Sequence, residues 1–142
     1  MPLSRFKLAA LPITVVLAAC TSPPKVPEVG SELAPCGSFP NCVSSSDNGS
    51  SGIEPIDATP EQWASLKRWL ASQPDWQVEI DKDTFLQAVA VTPTMRYRDD
   101  VQFLYDPATS SIAIRSSSRL GIGDMGANRK RVEALRELIA GF

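Results

Sequence analysis

The chain is 142 residues long and carries 14 basic against 16 acidic side chains, a formal net charge of −2. That length suits one small domain, and the slightly acidic balance offers no general nucleic-acid surface. Histidine is absent, which excludes Ser-His-Asp and Cys-His catalysis and every zinc site that needs an imidazole.

Arg5 and Lys7 open the chain, and Leu8 to Leu17 follow as an apolar run broken by Pro12 and Thr14. A spanning helix needs about 20 apolar residues, so residues 1–19 read as a cleaved secretory signal. Leu17-Ala18-Ala19-Cys20 resembles the lipobox of bacterial lipoproteins. The resemblance implies a diacylglyceryl thioether on Cys20, cleavage before it and acylation of the new amine. The alternative is an ordinary signal in which Cys20 falls by chance. Cleavage removes Arg5 and Lys7, so 14 − 2 leaves 12 basic against 16 acidic side chains, a mature charge of −4. Thr21 stands where lipoproteins kept at the inner membrane usually carry Asp. Similarity to that sorting rule implies an outer-membrane protein facing the periplasm.

Residues 20–35 hold Pro23, Pro24, Pro27 and Pro35 and read as a tether. At about 3.1 Å per residue it reaches roughly 45 Å. Residues 36–52 form a cysteine clip followed by a flexible Ser/Asp/Asn/Gly stretch. With Cys20 consumed by lipid, Cys36 and Cys42 remain for a structural disulfide in an oxidising compartment. A metal-binding or redox dithiol is the alternative, although five intervening residues are not the C-x-x-C spacing.

Residues 53–142 read as the folded domain. Thr59-Pro60-Glu61-Gln62 is a helix start, with Thr59 as N-cap, Pro60 in the first turn and Gln62 three residues after the cap. Trp63, Leu66, Trp69 and Leu70 continue it, and Pro74 stops it. Trp76, Val78 and Ile80 alternate with polar residues in a first strand. Thr84 to Thr92, Val101 to Tyr105 and Ser111 to Ser116 give three more. A last helix carries Val132, Leu135, Leu138, Ile139 and Phe142 on one stripe. The expected fold is α+β: an antiparallel four-stranded meander flanked by an N-terminal and a C-terminal helix, both on one face.

Polar residues concentrate in Arg96-Tyr97-Arg98-Asp99-Asp100 and in Arg115 to Arg131. A hairpin of the last two strands brings Arg96, Arg98, Asp99 and Asp100 close to Arg115, Ser118 and Arg119. The blocks Asn41-Cys42-Val43-Ser44-Ser45, Asp99-Asp100-Val101 and Arg115-Ser116-x-Ser118-Arg119-Leu120-Gly121-x-x-Asp124-x-Gly126-x-Asn128-Arg129-x-Arg131 resemble a family. It is catalogued as domain of unknown function 1499 and found in bacterial lipoproteins and plastid-targeted proteins. The resemblance covers roughly residues 35 to 142 and implies that these polar positions are a family pattern, with no activity attached.

Gly121, Gly123 and Gly126 spell G-x-G-x-x-G. A dinucleotide site needs a following parallel strand and an acidic residue about 20 positions on, and neither occurs before Phe142. No cofactor and no metal is implied. Arg129-Lys130-Arg131 stand at the positive end of the last helix, where cations are unfavourable. Either Asp124 caps the helix early enough to put them in its second turn, or the helix start and the arginines hold an anion together.

Three readings of the cluster stand side by side. One is a structural network. The second is an anion or polar-ligand site built from Arg96, Arg98, Asp99, Asp100, Arg115, Ser116, Ser118, Arg119, Asp124, Asn128 and Arg129. The third is catalysis by Asp and Arg. A lipid groove lined by Trp63, Trp76 and Phe85 is a further possibility, against the plainer reading of these aromatics as core. The functional expectation is therefore a membrane-anchored envelope lipoprotein that binds or assembles, through that pocket, with an anionic small molecule or an envelope protein. The alternatives are an envelope enzyme and a purely structural accessory. The lack of any nucleophile–base pair favours a non-enzyme.

Overall fold

The structure, a computed structural model, describes residues 32–142. The expected signal segment, the expected lipid anchor at Cys20 and the expected tether up to residue 31 lie outside the described residues. The elements in order are β1 (Cys42–Ser44), β2 (Ile56–Asp57), α1 (Pro60–Ser72), β3 (Trp76–Asp81), β4 (Phe85–Val91), β5 (Arg98–Asp106), β6 (Ser111–Ser118) and α2 (Ala127–Ala140).

The strands form one sheet of six, with spatial order β1-β6-β5-β4-β3 and β2 also on β6. Every strand pair is antiparallel. The expected four-stranded meander is the centre of this sheet, and the strand count is corrected upward by β1 and β2. Both extend the β6 edge, β1 along Arg115 to Ser117 and β2 along Ser111 and Ile112. At three and two residues they show no readable alternation. The open edge of β6 specifies them, because its unpaired N–H and C=O groups need partners.

The first helix starts as its residues dictate. Thr59 Oγ1 accepts from the Gln62 N–H at 3.2 Å, and Gln62 Oε1 accepts from the Thr59 N–H at 2.9 Å. Its buried stripe is Trp63, Leu66 and Leu70. The second helix buries Val132, Leu135 and Ile139. Phe142 does not join that stripe: it lies beyond the helix and is exposed.

Both helices cover the same sheet face. The core there gathers Leu86, Ala88, Ala90, Val101, Phe103, Ile112 and Ile114 under the two helix stripes. Each fully buried aliphatic side chain contributes about 1.5–3 kcal/mol. Trp63 stacks on Tyr105 with ring centroids 5.5 Å apart, and its indole N–H donates to the Asp83 carbonyl at 2.8 Å. Phe85 is out of step with the Leu86, Ala88 and Ala90 row and so occupies the opposite face. Trp63, Trp76 and Phe85 therefore line no common groove.

Candidate functional site: a polar network at one end of the sheet

The β5–β6 register puts Asp99 opposite Ser118, Asp100 opposite Ser117 and Gln102 opposite Arg115. The hairpin thus brings the two polar segments together as expected. Side chains alternate between faces along each strand, however, so the cluster divides. Asp99, Ser116 and Ser118 lie under α2. Asp100 and Arg115 lie on the other face.

Asn128 is the hub of the helix side and is 0% exposed. Its Oδ1 accepts from Ser116 Oγ at 2.7 Å and from Arg131 Nη1 at 2.7 Å. Its Nδ2 donates to Asp124 Oδ2 at 2.7 Å, Ser118 Oγ at 2.9 Å and the Asn41 carbonyl at 3.0 Å. Arg131 also donates to Ser116 Oγ at 3.0 Å and, through Nη2, to Asp99 Oδ2 at 2.5 Å. Asp99 is 2% exposed, so its charge is compensated inside the fold.

Gly126 is the N-cap residue of α2, and the side chain that satisfies the N–H groups there is that of Asp124, two residues earlier. Its Oδ1 accepts from the Gly126 N–H and its Oδ2 from the Asn128 N–H, both at 2.9 Å. Burial opposes ionisation of Asp124. The Asn128 and Gly126 N–H groups and the Asn128 amide outweigh that and hold the carboxyl below its ordinary value. The helix nevertheless begins only at Ala127, so Arg129 and Lys130 stand in its first turn rather than its second. The Asp124 carboxylate offsets the unfavourable helix dipole there. Arg129 reaches the carbonyls of Ser50 at 2.9 Å and Gly52 at 3.3 Å.

On the opposite face Arg119 holds Asp100 bidentately, Nε to Oδ2 at 2.9 Å and Nη2 to Oδ1 at 2.7 Å. That geometry is the strong form of the pair. Glu79 is a longer contact at 3.5 Å. The bond to Asp100 raises the Arg119 pKa. Burial lowers that of Arg115, against the pull of Asp100.

The cysteine clip is bolted to the same end. Cys36 and Cys42 are disulfide-bonded, the structural pairing expected from the sequence. Asn41 Nδ2 donates to the Gly121 carbonyl at 2.7 Å, and the Asp124 N–H to the Pro40 carbonyl at 3.3 Å. Gly121 and Gly126 sit at φ 91° and 79°, conformations that disfavour any side chain. They serve the turn, as the sequence suggested.

Arg96 and Arg98 are exposed; Arg98 donates to Gln77 Oε1 at 2.8 Å. Among the described residues no carboxylate forms an ion pair with Arg96, Arg98, Arg115, Arg129 or Lys130. Sequence reasoning left Arg131, Asn41 and Glu79 out of the candidate site. Arg131 was findable, since Asn128, Arg131, Val132 and Leu135 share one helical stripe. Asn41 stood in the first of the family blocks, and Glu79 carried no comparable signal.

A family profile described as a protein of unknown function, DUF1499, matches residues 32–139. The chain belongs to the DUF1499 family. Every node of the network, from Asn41 to Arg131, falls within the matched DUF1499 residues. No curated protein and no solved structure matches the chain. Among the described residues of this DUF1499 chain no helix is long and apolar enough to cross a membrane. None of its His, Cys, Asp or Glu side chains there group to hold a metal ion.

Proposed function

We propose that this DUF1499 protein is a bacterial envelope lipoprotein, anchored through Cys20 and sorted to the outer membrane, whose domain is a non-catalytic binding module. The network is its scaffold, and the cations left exposed around it take an anionic partner. One observation carries this reading. Asp99, Asp100 and Asp124 are engaged by Arg131, Arg119 and the α2 N–H groups, while Arg96, Arg98 and Lys130 stay exposed without an ion pair. Ser116, Ser118 and Asn128 belong to the scaffold in this reading, because their hydrogen bonds are spent on one another.

The test compares thermal unfolding of the full chain in phosphate or sulfate with chloride at matched ionic strength. Bound anion raises the melting temperature through linkage. The rise should vanish in Arg96→Ala/Arg98→Ala. An equal response in both proteins would leave a structural network alone. The anchor is tested separately. Cys20→Ser should abolish metabolic labelling with a fatty acid, and the labelled wild type should fractionate with outer-membrane markers.

A further inference from the structure

The network end of the sheet also gathers large apolar side chains that face solvent. Met125 is 92% exposed, Ile122 72%, Met95 64%, Leu120 58%, Phe39 56% and Tyr97 48%. They come from three loops: the clip, the β4–β5 connection and the β6–α2 connection. These loops are joined at their bases. The Arg119 N–H donates to the Arg98 carbonyl at 3.2 Å, the Ser118 N–H to the Asn41 carbonyl at 2.9 Å, and the Asn41 amide to the Gly121 carbonyl at 2.7 Å. Among the described residues the only other large exposed apolar side chain is Phe142. Six such side chains brought to one end by three joined loops, against one elsewhere among the described residues, point to a partner at this end.

Its surroundings indicate the occupant. Arg96 and Arg98 flank Tyr97, and Lys130 follows Met125 in the first turn of α2. Asp99 and Asp100 are buried against arginines, and Asp124 is taken up by the N–H groups at the start of α2. Asp75, whose carbonyl accepts from the N–H of Val91 at the end of β4, and Asp124 are carboxylates at this end without an ion pair. Separate apolar tips set among cations suit a lipid interface, where the tips enter the acyl boundary and the cations meet anionic headgroups.

We infer that this end of the domain docks on an anionic phospholipid bilayer, with Ile122 and Met125 among the inserted residues. The inference rests on the binding-module reading above and names its partner. A domain tethered at Cys20 then lies against the membrane instead of standing off at the full reach of its tether.

The test uses the full chain reconstituted into vesicles of phosphatidylcholine with phosphatidylglycerol, brominated in the acyl chains. Ile122→Trp adds one indole to Trp63, Trp69 and Trp76, and the wild type supplies the background. Its added emission should be blue-shifted and quenched at least twofold in anionic vesicles. In pure phosphatidylcholine, and in an Arg96→Glu/Arg98→Glu background, the quenching should disappear. Unquenched emission in anionic vesicles overturns the inference. So does quenching of equal size in neutral ones. Blue-shifted emission in native envelopes without quenching in protein-free vesicles would overturn it in favour of a protein partner. If quenching fails while phosphate still raises the wild-type melting temperature selectively, the anion-binding reading survives and only the bilayer is lost.

Discussion

Replacing Asn128 with alanine tests the network at its hub. The change removes five side-chain hydrogen bonds, at 2.7–3.0 Å. Each net bond is worth about 1 kcal/mol, and a buried group left unpaired loses more. Most partners here keep another bond. Ser116 Oγ and Arg131 retain each other at 3.0 Å, Arg131 retains Asp99, Asp124 Oδ2 retains the residue-128 N–H at 2.9 Å, and the Asn41 carbonyl retains the Ser118 N–H at 2.9 Å. Five bonds lost with most partners re-satisfied points to about 3 kcal/mol. Urea unfolding of wild type and variant measures it, as a lowered midpoint at constant slope. Asn128→Asp is the sharper control. It sets a carboxylate oxygen where Nδ2 now lies 2.7 Å from Asp124 Oδ2. Like charge raises the carboxyl pKa of the folded variant. The folded state then binds the extra proton, so the deficit of Asn128→Asp should shrink as pH falls and grow as it rises. An Asn128→Ala cost under about 0.5 kcal/mol, or an Asn128→Asp deficit independent of pH, would refute the hub assignment.

Asp99→Ala should destabilise by about 3 kcal/mol in urea, because it strands the partly buried Arg131 charge, which keeps only Ser116 and Asn128. The double change Asp99→Leu/Arg131→Met should recover more than half of that loss. Asp124→Ala should cost about 1 kcal/mol at neutral pH as a lost helix cap. Because the folded-state pKa of Asp124 is depressed, its contribution is present above its ordinary value and disappears as pH falls through the lower, folded-state value. The wild-type and Asp124→Ala melting curves should therefore converge in acid. Cys42→Ala should lower stability by about 2 kcal/mol, the loop-entropy value for so short a closed loop, and reductant should reproduce the loss in the wild type.

The core of the fold was legible because its signals are local. Thr59, Pro60 and Gln62 specify a helix start by capping chemistry alone, and Trp76, Val78 and Ile80 specify a strand by alternation. β5 begins at Arg98, three residues before its apolar pattern, because its first turn of burial is charged: Asp99 and Asp100 enter the interior with arginine partners from distant positions. Apolar periodicity is blind to that. β1 and β2 were illegible for a related reason, since an edge supplied by β6 determines them. The gathering of polar segments was legible from hairpin topology. Its division was not, because the faces of Asp99 and Asp100 depend on the register with Ser118 and Ser117. A one-residue slip would exchange them.

That sensitivity gives the buried ion pairs a physical role. A well-packed apolar substitute for such a pair is often equally stable or more so, so stability alone is a weak account of Asp99–Arg131 and Asp100–Arg119. The two pairs anchor adjacent residues of β5 to opposite faces, one to α2 and one to the far end of β6. Each is directional, unlike an apolar contact. A register slip would bring Asp99 to the face of Arg119 and Asp100 to the face of Arg131, breaking both pairs. Between them the pairs hold the β5–β6 ends, the start of α2 and, through Asn41, the cysteine clip. Those are the supports of the three loops that carry Phe39, Tyr97, Leu120, Ile122 and Met125 into solvent. Exposed apolar tips gain nothing from folding, and their loops have little packing of their own. Rigid bases beneath them are what a surface needs if it is to meet a partner without ordering itself first.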